Sequence, residues 1–115
     1  MTLTGAQLKA VLEQQWQGSS TMRLQVSENF AYSYDTGNPI GSRVVSMSVG
    51  GVPLAPTDTV RVCVNSFLAG GGDGFTGLTA GTELVGGPID LDVLTEYLDT
   101  QGPVSAPPND RVTAL

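Results

Sequence analysis

From Asn65 to Phe75 the chain reads Asn-Ser-Phe-Leu-Ala-Gly-Gly-Gly-Asp-Gly-Phe, setting an aromatic ring ahead of four glycines and one carboxylate. Each type has a definite chemical use in such a run. Glycine admits positive φ and lets a ligand come close to the backbone. A flat ring beside the turn can stack on another planar ring. A carboxylate on the turn can accept hydrogen bonds from two vicinal hydroxyls, as an acidic residue does for ribose in dinucleotide folds. Phe67 and Asp73 are therefore suited to gripping a nucleoside, with Gly71 and Gly72 supplying the close backbone. The competing reading is a glycine turn that Asp73 braces, with Phe67 in the core.

Other chemistries fail on their own requirements. Gly72-Asp73-Gly74-Phe75-Thr76-Gly77 fits Gly-x-Gly-x-x-Gly after a candidate strand, but a dinucleotide site needs a helix opening at once, and Thr79-Ala80-Gly81 interrupts one. No Gly-Lys-Ser/Thr follows, so the run is not a P-loop. A calcium loop needs several oxygen ligands at alternating positions, and Asp73 stands alone. The chain has no histidine and one cysteine, Cys63, which removes zinc sites, serine or cysteine triads and internal disulfides. Cys63 lies in a valine-rich run and is expected to be buried and inert. Asp90 and Asp92 sit at a helix start, where the dipole accounts for them. No catalytic residue and no cofactor site is expected in these 115 residues.

Charge narrows the partners. Five basic residues face eleven acidic ones, for a net charge of −6. Arg23, Arg43, Arg61 and Arg111 are scattered singly, so a nucleic acid polymer is a poor partner. Even a nucleotide's phosphate would need charge from elsewhere. Charged residues make up 14 % of the chain, below the usual share of about a quarter. A surface built instead on Ser, Thr, Asn and Gln is common in exported proteins. No apolar run reaches the length of a membrane span.

The elements that must position the loop follow from periodicity. Thr4 is an N-cap for a helix from Gly5 to about Gln17, packing through Leu8, Val11, Leu12 and Trp16. Met22–Ser27 reads as a short strand. Asn29–Asp35 alternates, with Phe30, Tyr32 and Tyr34 on one face, and pairs as a hairpin with Arg43–Val49, whose Val45, Met47 and Val49 point inward. Gly50-Gly51 is a tight turn leading to an edge at Val52-Pro53-Leu54. Val60–Val64 has central-strand character, and the glycine loop leaves its C-terminal end. Thr76–Val85 has no firm period. Asp90 is an N-cap for a helix to about Gln101 that buries Leu91, Leu94, Tyr97 and Leu98, with Gly102 and Pro103 as its stop. Arg111-Val112-Thr113 adds a last edge strand. The expected fold is α+β: a mixed, mostly antiparallel sheet with two packed helices, in a single domain spanning 1–115.

The run Ser66–Phe75 resembles the nucleoside-binding loop of the C-terminal domain of 5′-nucleotidases. Leu3-Thr4-Gly5-Ala6-Gln7-Leu8-Lys9-Ala10-Val11-Leu12-Glu13 is similar to that domain's Gly-x-x-Leu-x-x-x-Leu-Glu helix. Leu24-Gln25-Val26-Ser27 followed by Tyr32-Ser33-Tyr34-Asp35 resembles its Leu-Gln-Val-Ser-Gly strand pair, with Glu28 where members often carry glycine. Asp92–Leu98, Gly102-Pro103-Val104, Pro107 and Arg111-Val112 resemble its closing helix and strand. The resemblance implies that Phe67 stacks on the base and Asp73 holds the ribose hydroxyls. It implies a substrate-recognition domain of a secreted, periplasmic or cell-surface hydrolase, starting at the helix and lacking the upstream part of the domain. Phosphate-ester hydrolysis, a second stacking phenylalanine and two divalent metals would belong to upstream segments, the metals to a metallophosphoesterase domain. Truncation there would leave apolar surface and favour a homodimer. Two other classes stay open: a free-standing sugar- or nucleoside-binding module, and a structural β-rich domain of a secreted protein.

Overall fold

Thr4 starts the first helix by satisfying free amides at both ends of one turn. Its hydroxyl accepts from the Gln7 N–H at 3.1 Å, and the Gln7 side chain accepts from the Thr4 N–H at 2.8 Å. This reciprocal pair closes the amides that a helix start otherwise leaves free. A computed structural model describes residues 1–115. Its strands are β1 (Thr2–Thr4), β2 (Trp16–Gln17), β3 (Ser20–Thr21), β4 (Phe30–Tyr34), β5 (Val44–Val49), β6 (Val52–Pro53), β7 (Thr59–Arg61) and β8 (Val112–Ala114). Its α-helices are α1 (Gly5–Glu13), α2 (Ser66–Ala69) and α3 (Asp90–Gln101).

The main sheet has the order β6-β5-β4-β8. Three of its strands are antiparallel neighbours, and β8 joins β4 in parallel, pairing Tyr32 with Val112. The sheet is therefore mixed and mostly antiparallel, and the fold is α+β as expected. The aromatic alternation of β4 lies against α1. Phe30, Tyr32, Val44, Leu8, Val11, Leu12 and Trp16 share one core with Leu3, Phe75 and Leu78. The Gly50-Gly51 turn joins β5 to β6 with φ of +57° and +79°, a left-handed pair that glycine adopts without strain.

Several expectations need correction. Helix α1 ends at Glu13, not Gln17, because Trp16 and Gln17 leave it to pair with Thr21 and Ser20. Trp16 still reaches the core, from a strand rather than from a helical face. Residues 22–27 form no ladder; Leu24 and Val26 are half-buried beside the core. Val45 points out, because the β4–β5 register shifts between Ser33 and Tyr34. Ser33 faces Ser46 and Tyr34 faces Val44, which leaves Val45 as the extra residue of a bulge and turns Val44 inward. Glu13 secures this irregularity, its buried Oε1 accepting from the Val44 N–H at 2.6 Å. The Val60–Val64 run is not central: β7 pairs only with β1, in a separate two-stranded ribbon. Cys63 is exposed for the same reason, having no second layer above it.

The largest departure is α3. It ends at Gln101 as expected, with Gly102 following at φ +68°, but the N-cap is Ile89, which makes no side-chain cap bond, and Asp90 is the first helical residue. Its face departs further: Leu91, Leu94, Tyr97 and Leu98 are all exposed, and no residue of the helix is buried. Of the two helices expected to pack on the sheet, α1 does so and α3 does not. Burying a leucine side chain is worth about 1.5–3 kcal/mol, and α3 leaves that stabilisation unused within this chain. Leu94→Ala is therefore expected to change the chain's unfolding free energy by no more than about 0.5 kcal/mol, the scale of surface substitutions. Urea denaturation followed by tryptophan fluorescence checks this. A loss of several kcal/mol would mean that α3 is covered in solution.

Candidate functional site

The glycine loop leaves β7 through Asn65, whose side-chain oxygen accepts from the Leu68 N–H at 2.8 Å. This cap starts the single turn of α2 and stands Phe67 on it. The chain then reverses through Gly71, at φ +87°, into a tight turn over Gly72–Gly74. A Cβ on Gly71 would crowd Thr79 at 3.3 Å, besides the strain of its left-handed backbone. A Cβ on Gly72 would fall 2.5 Å from the Phe67 ring. The ring thus lies directly on the Gly72 backbone, and a larger residue there would push it from this position.

The two phenylalanines that bracket the loop have opposite fates. Phe75 is 2 % exposed and belongs to the core, whereas Phe67 is 61 % exposed. Phe67 lines an open cleft of about 550 Å³ with Asn65, Leu68, Asp73 and Phe75. The opposite wall is the segment Thr21–Gln25. Asp73 has φ +55°, a left-handed conformation uncommon for a residue with a side chain. Its main-chain carbonyl accepts a hydrogen bond from Gln17, while its carboxylate makes none within the chain. Phe67, Asp73, Gly71 and Gly72 therefore come together, the first two on the cleft and the glycines beneath them.

Both walls are tied to Gln14, Gln15 and Gln17, glutamines around Trp16 to which sequence reasoning gave no role at the loop. Gln14 accepts from the Gly77 N–H at 2.9 Å and donates to the Thr76 hydroxyl at 2.8 Å. Gln17 donates to the Asp73 carbonyl at 2.6 Å and to the Gln14 carbonyl at 3.1 Å. Gln15 is fully buried and serves the other wall. Its Oε1 accepts from the Leu24 N–H at 2.9 Å, its Nε2 lies 3.0 Å from the Tyr32 hydroxyl, and its carbonyl accepts from the Met22 N–H at 2.8 Å. The available signal was composition. Three amides around a core tryptophan, in a chain poor in charge, have backbone groups to satisfy.

Arg23 brings positive charge to the cleft. Its guanidinium lies 4.7 Å from the centre of the Tyr34 ring and donates to the Tyr34 hydroxyl at 3.2 Å. Partial burial lowers its pKa, but the neighbouring Tyr32 and Tyr34 hydroxyls outweigh that and hold it above the ordinary arginine value. No three His, Cys, Asp or Glu side chains are grouped to hold a metal ion. The residues present do not form a site for the two divalent metals that the resemblance assigns to an upstream domain.

The chain matches the family described as 5′-nucleotidase, C-terminal domain, over residues 1–80. It belongs to that family. A 5′-nucleotidase-related protein of Glossina morsitans morsitans is 32 % identical across 98 % of this chain, which spans 22 % of that protein. Snake venom 5′-nucleotidase of Gloydius brevicauda is 35 % identical across 77 % of the chain, which spans 16 % of it. The crystal structure of a 5′-nucleotidase precursor from Thermus thermophilus superimposes on all of this chain with a TM-score of 0.87 at 37 % identity, over 24 % of its own length. The chain thus corresponds to about a fifth of these proteins, and the 5′-nucleotidase C-terminal domain fold accounts for all of it, including α3.

Proposed function

We propose that this 5′-nucleotidase C-terminal domain binds the nucleoside part of a nucleotide for a phosphoric ester hydrolase whose metal-bearing domain lies outside these residues. The observation that carries the reading is the pair on the cleft: an exposed Phe67 ring seated on Gly72, beside an Asp73 carboxylate that no group of the chain engages. A core role for Phe67 or a bracing role for the Asp73 side chain would have used those groups up. The ring offers a base a stacking surface, and the carboxylate offers vicinal hydroxyls an acceptor. The relative named for snake venom supports a secreted or cell-surface setting. The uncovered face of α3 supports contact with an upstream domain or a second copy of the chain. No helix is long and apolar enough to cross a membrane.

Two measurements on the purified chain test this together. Adenosine is expected to bind weakly, on the order of a millimolar dissociation constant, because one aromatic face is only part of a clamp. Amide shifts should concentrate at Phe67, Gly72, Asp73 and the Thr21–Gln25 wall. The chain should release no phosphate from AMP with added Mn²⁺ or Zn²⁺, since it holds no metal ligand set and no placed general base. Shifts confined to other surfaces would overturn the binding reading. Phosphate release that co-purifies with the chain would overturn the division of labour.

A further inference from the structure

The strained backbone of Asp73 has a dedicated partner, and that partner suggests how the cleft is aimed. Asp73 and Gly74 are consecutive left-handed residues, at φ +55° and +81°. Gly74 adopts this conformation freely; Asp73 carries a steric cost of roughly 1 kcal/mol or more for it. The local hydrogen bond that spans the turn, from the Phe75 N–H to the Gly72 carbonyl at 3.1 Å, does not involve Asp73. What engages Asp73 is the Gln17 amide, 2.6 Å from its carbonyl oxygen. Gln17 fits closely there, for a Cβ on Gly74 would fall 2.6 Å from the same Nε2. The amide is itself oriented by the Gln14 carbonyl at 3.1 Å, and Gln17 is fixed in the β2–β3 hairpin by pairing with Ser20.

We propose that Gln17 is a positioning residue for ribose recognition: its side-chain amide holds the left-handed backbone of Asp73 and so directs the Asp73 carboxylate into the cleft. The inference rests on the nucleoside reading above and adds a residue that does not itself touch the ligand. Gln14 is the natural comparison. It binds the same loop further on, at Thr76 and Gly77, without touching Asp73. If both glutamines merely stabilise the loop, their loss should act alike. If Gln17 orients the carboxylate, its loss should act on the ribose and leave the base contact in place.

The test compares Gln17→Met with Gln14→Met in the full 115-residue chain. Methionine keeps length and removes the amide. Two readouts are taken by NMR: the backbone conformation of Asp73 from its HN–Hα coupling and carbon shifts, and the affinities for adenosine and 2′,3′-dideoxyadenosine. Gln17→Met is expected to release Asp73 from the left-handed region and to remove most of the preference for adenosine. A charge-assisted hydrogen bond is worth about tenfold or more in affinity. Affinity for the dideoxy compound should stay within about twofold. Gln14→Met should keep both the Asp73 conformation and the preference, even if the loop melts earlier. Asp73 remaining left-handed in Gln17→Met overturns the proposal whatever binds. Equal loss of both ligands in the two variants also overturns it. If the unaltered chain shows no adenosine preference over the dideoxy compound, the nucleoside reading fails instead, and the coupling measurement still decides what holds Asp73.

Discussion

Gln15→Leu is expected to destabilise the chain by about 2–4 kcal/mol, because each buried polar group left without a partner costs about 1–3 kcal/mol. Leucine matches the volume of glutamine but returns none of its hydrogen bonds. The part-buried Leu24 N–H and the buried Tyr32 hydroxyl, served at 2.9 Å and 3.0 Å, lose their partner. Tyr32 is 3 % exposed, so its hydroxyl proton loses its acceptor out of reach of bulk water, while Arg23 still faces the hydroxyl oxygen. Tyr32→Phe on the Gln15→Leu background supplies the decisive comparison. Removing both partners leaves one fewer orphan, so the double variant should be more stable than Gln15→Leu alone. Urea titrations measure the cycle. With a slope of roughly 1–1.5 kcal/mol/M for a chain of this size, Gln15→Leu should move the midpoint down by roughly 1.3–4 M. A shift under about 0.5 M, or a double variant less stable than the single, would show that the Gln15 network is replaceable by solvent. A functional consequence follows as well. Gln15 is what holds residues 22–24 as a wall without any strand ladder, so its loss should blur the cleft before it unfolds the core.

Local patterns were legible in the sequence where one residue type has one physical use. The Thr4 cap, the alternation Phe30-Tyr32-Tyr34 and the Gly50-Gly51 turn are settled by neighbours in the chain, and the structure repeats them. What the sequence did not display were features settled by distant groups. Val45 alternates correctly with Met47 and Val49, yet it points out because the register slips across from Tyr34. Glu13, thirty-one residues away, takes the Val44 N–H that would otherwise complete a regular ladder. Val60–Val64 has the β-branched composition of a central strand, but strand position depends on partners, and here the only partner is β1. Helix α3 shows the same limit from the other side. An amphipathic pattern states that a face wants cover, not that this chain supplies it. The loop divides likewise. Phe67 and Asp73 stand out as chemistry-bearing types beside glycines, whereas the glutamines that hold the loop look like ordinary polar surface until the fold brings them to its backbone.

Phe67→Ala is expected to remove about 1–3 kcal/mol of nucleoside affinity, the scale of stacking a base on an aromatic side chain. In a chain that binds adenosine at millimolar strength, this amounts to loss of detectable binding. The stability of the fold should change little, since the ring is largely exposed and rests on a glycine. Phe75→Ala makes the contrast: a core ring 2 % exposed, whose loss costs about 3–5 kcal/mol of folding. Asp73→Asn should behave in a third way. It removes a charged acceptor, so the ribose preference should fall while adenine-ring contacts persist. Asparagine tolerates the left-handed backbone at least as well as aspartate, so the turn itself should survive. Melting temperature measured beside affinities for adenosine and its 2′,3′-dideoxy analogue separates these outcomes. If Phe67→Ala melts early while Asp73→Asn keeps its ribose preference, Phe67 is a packing residue and the cleft is not the nucleoside site. If affinity falls at an unchanged melting temperature, and the ribose preference falls with Asp73 alone, then base and sugar are read by two groups that one short glycine turn holds together.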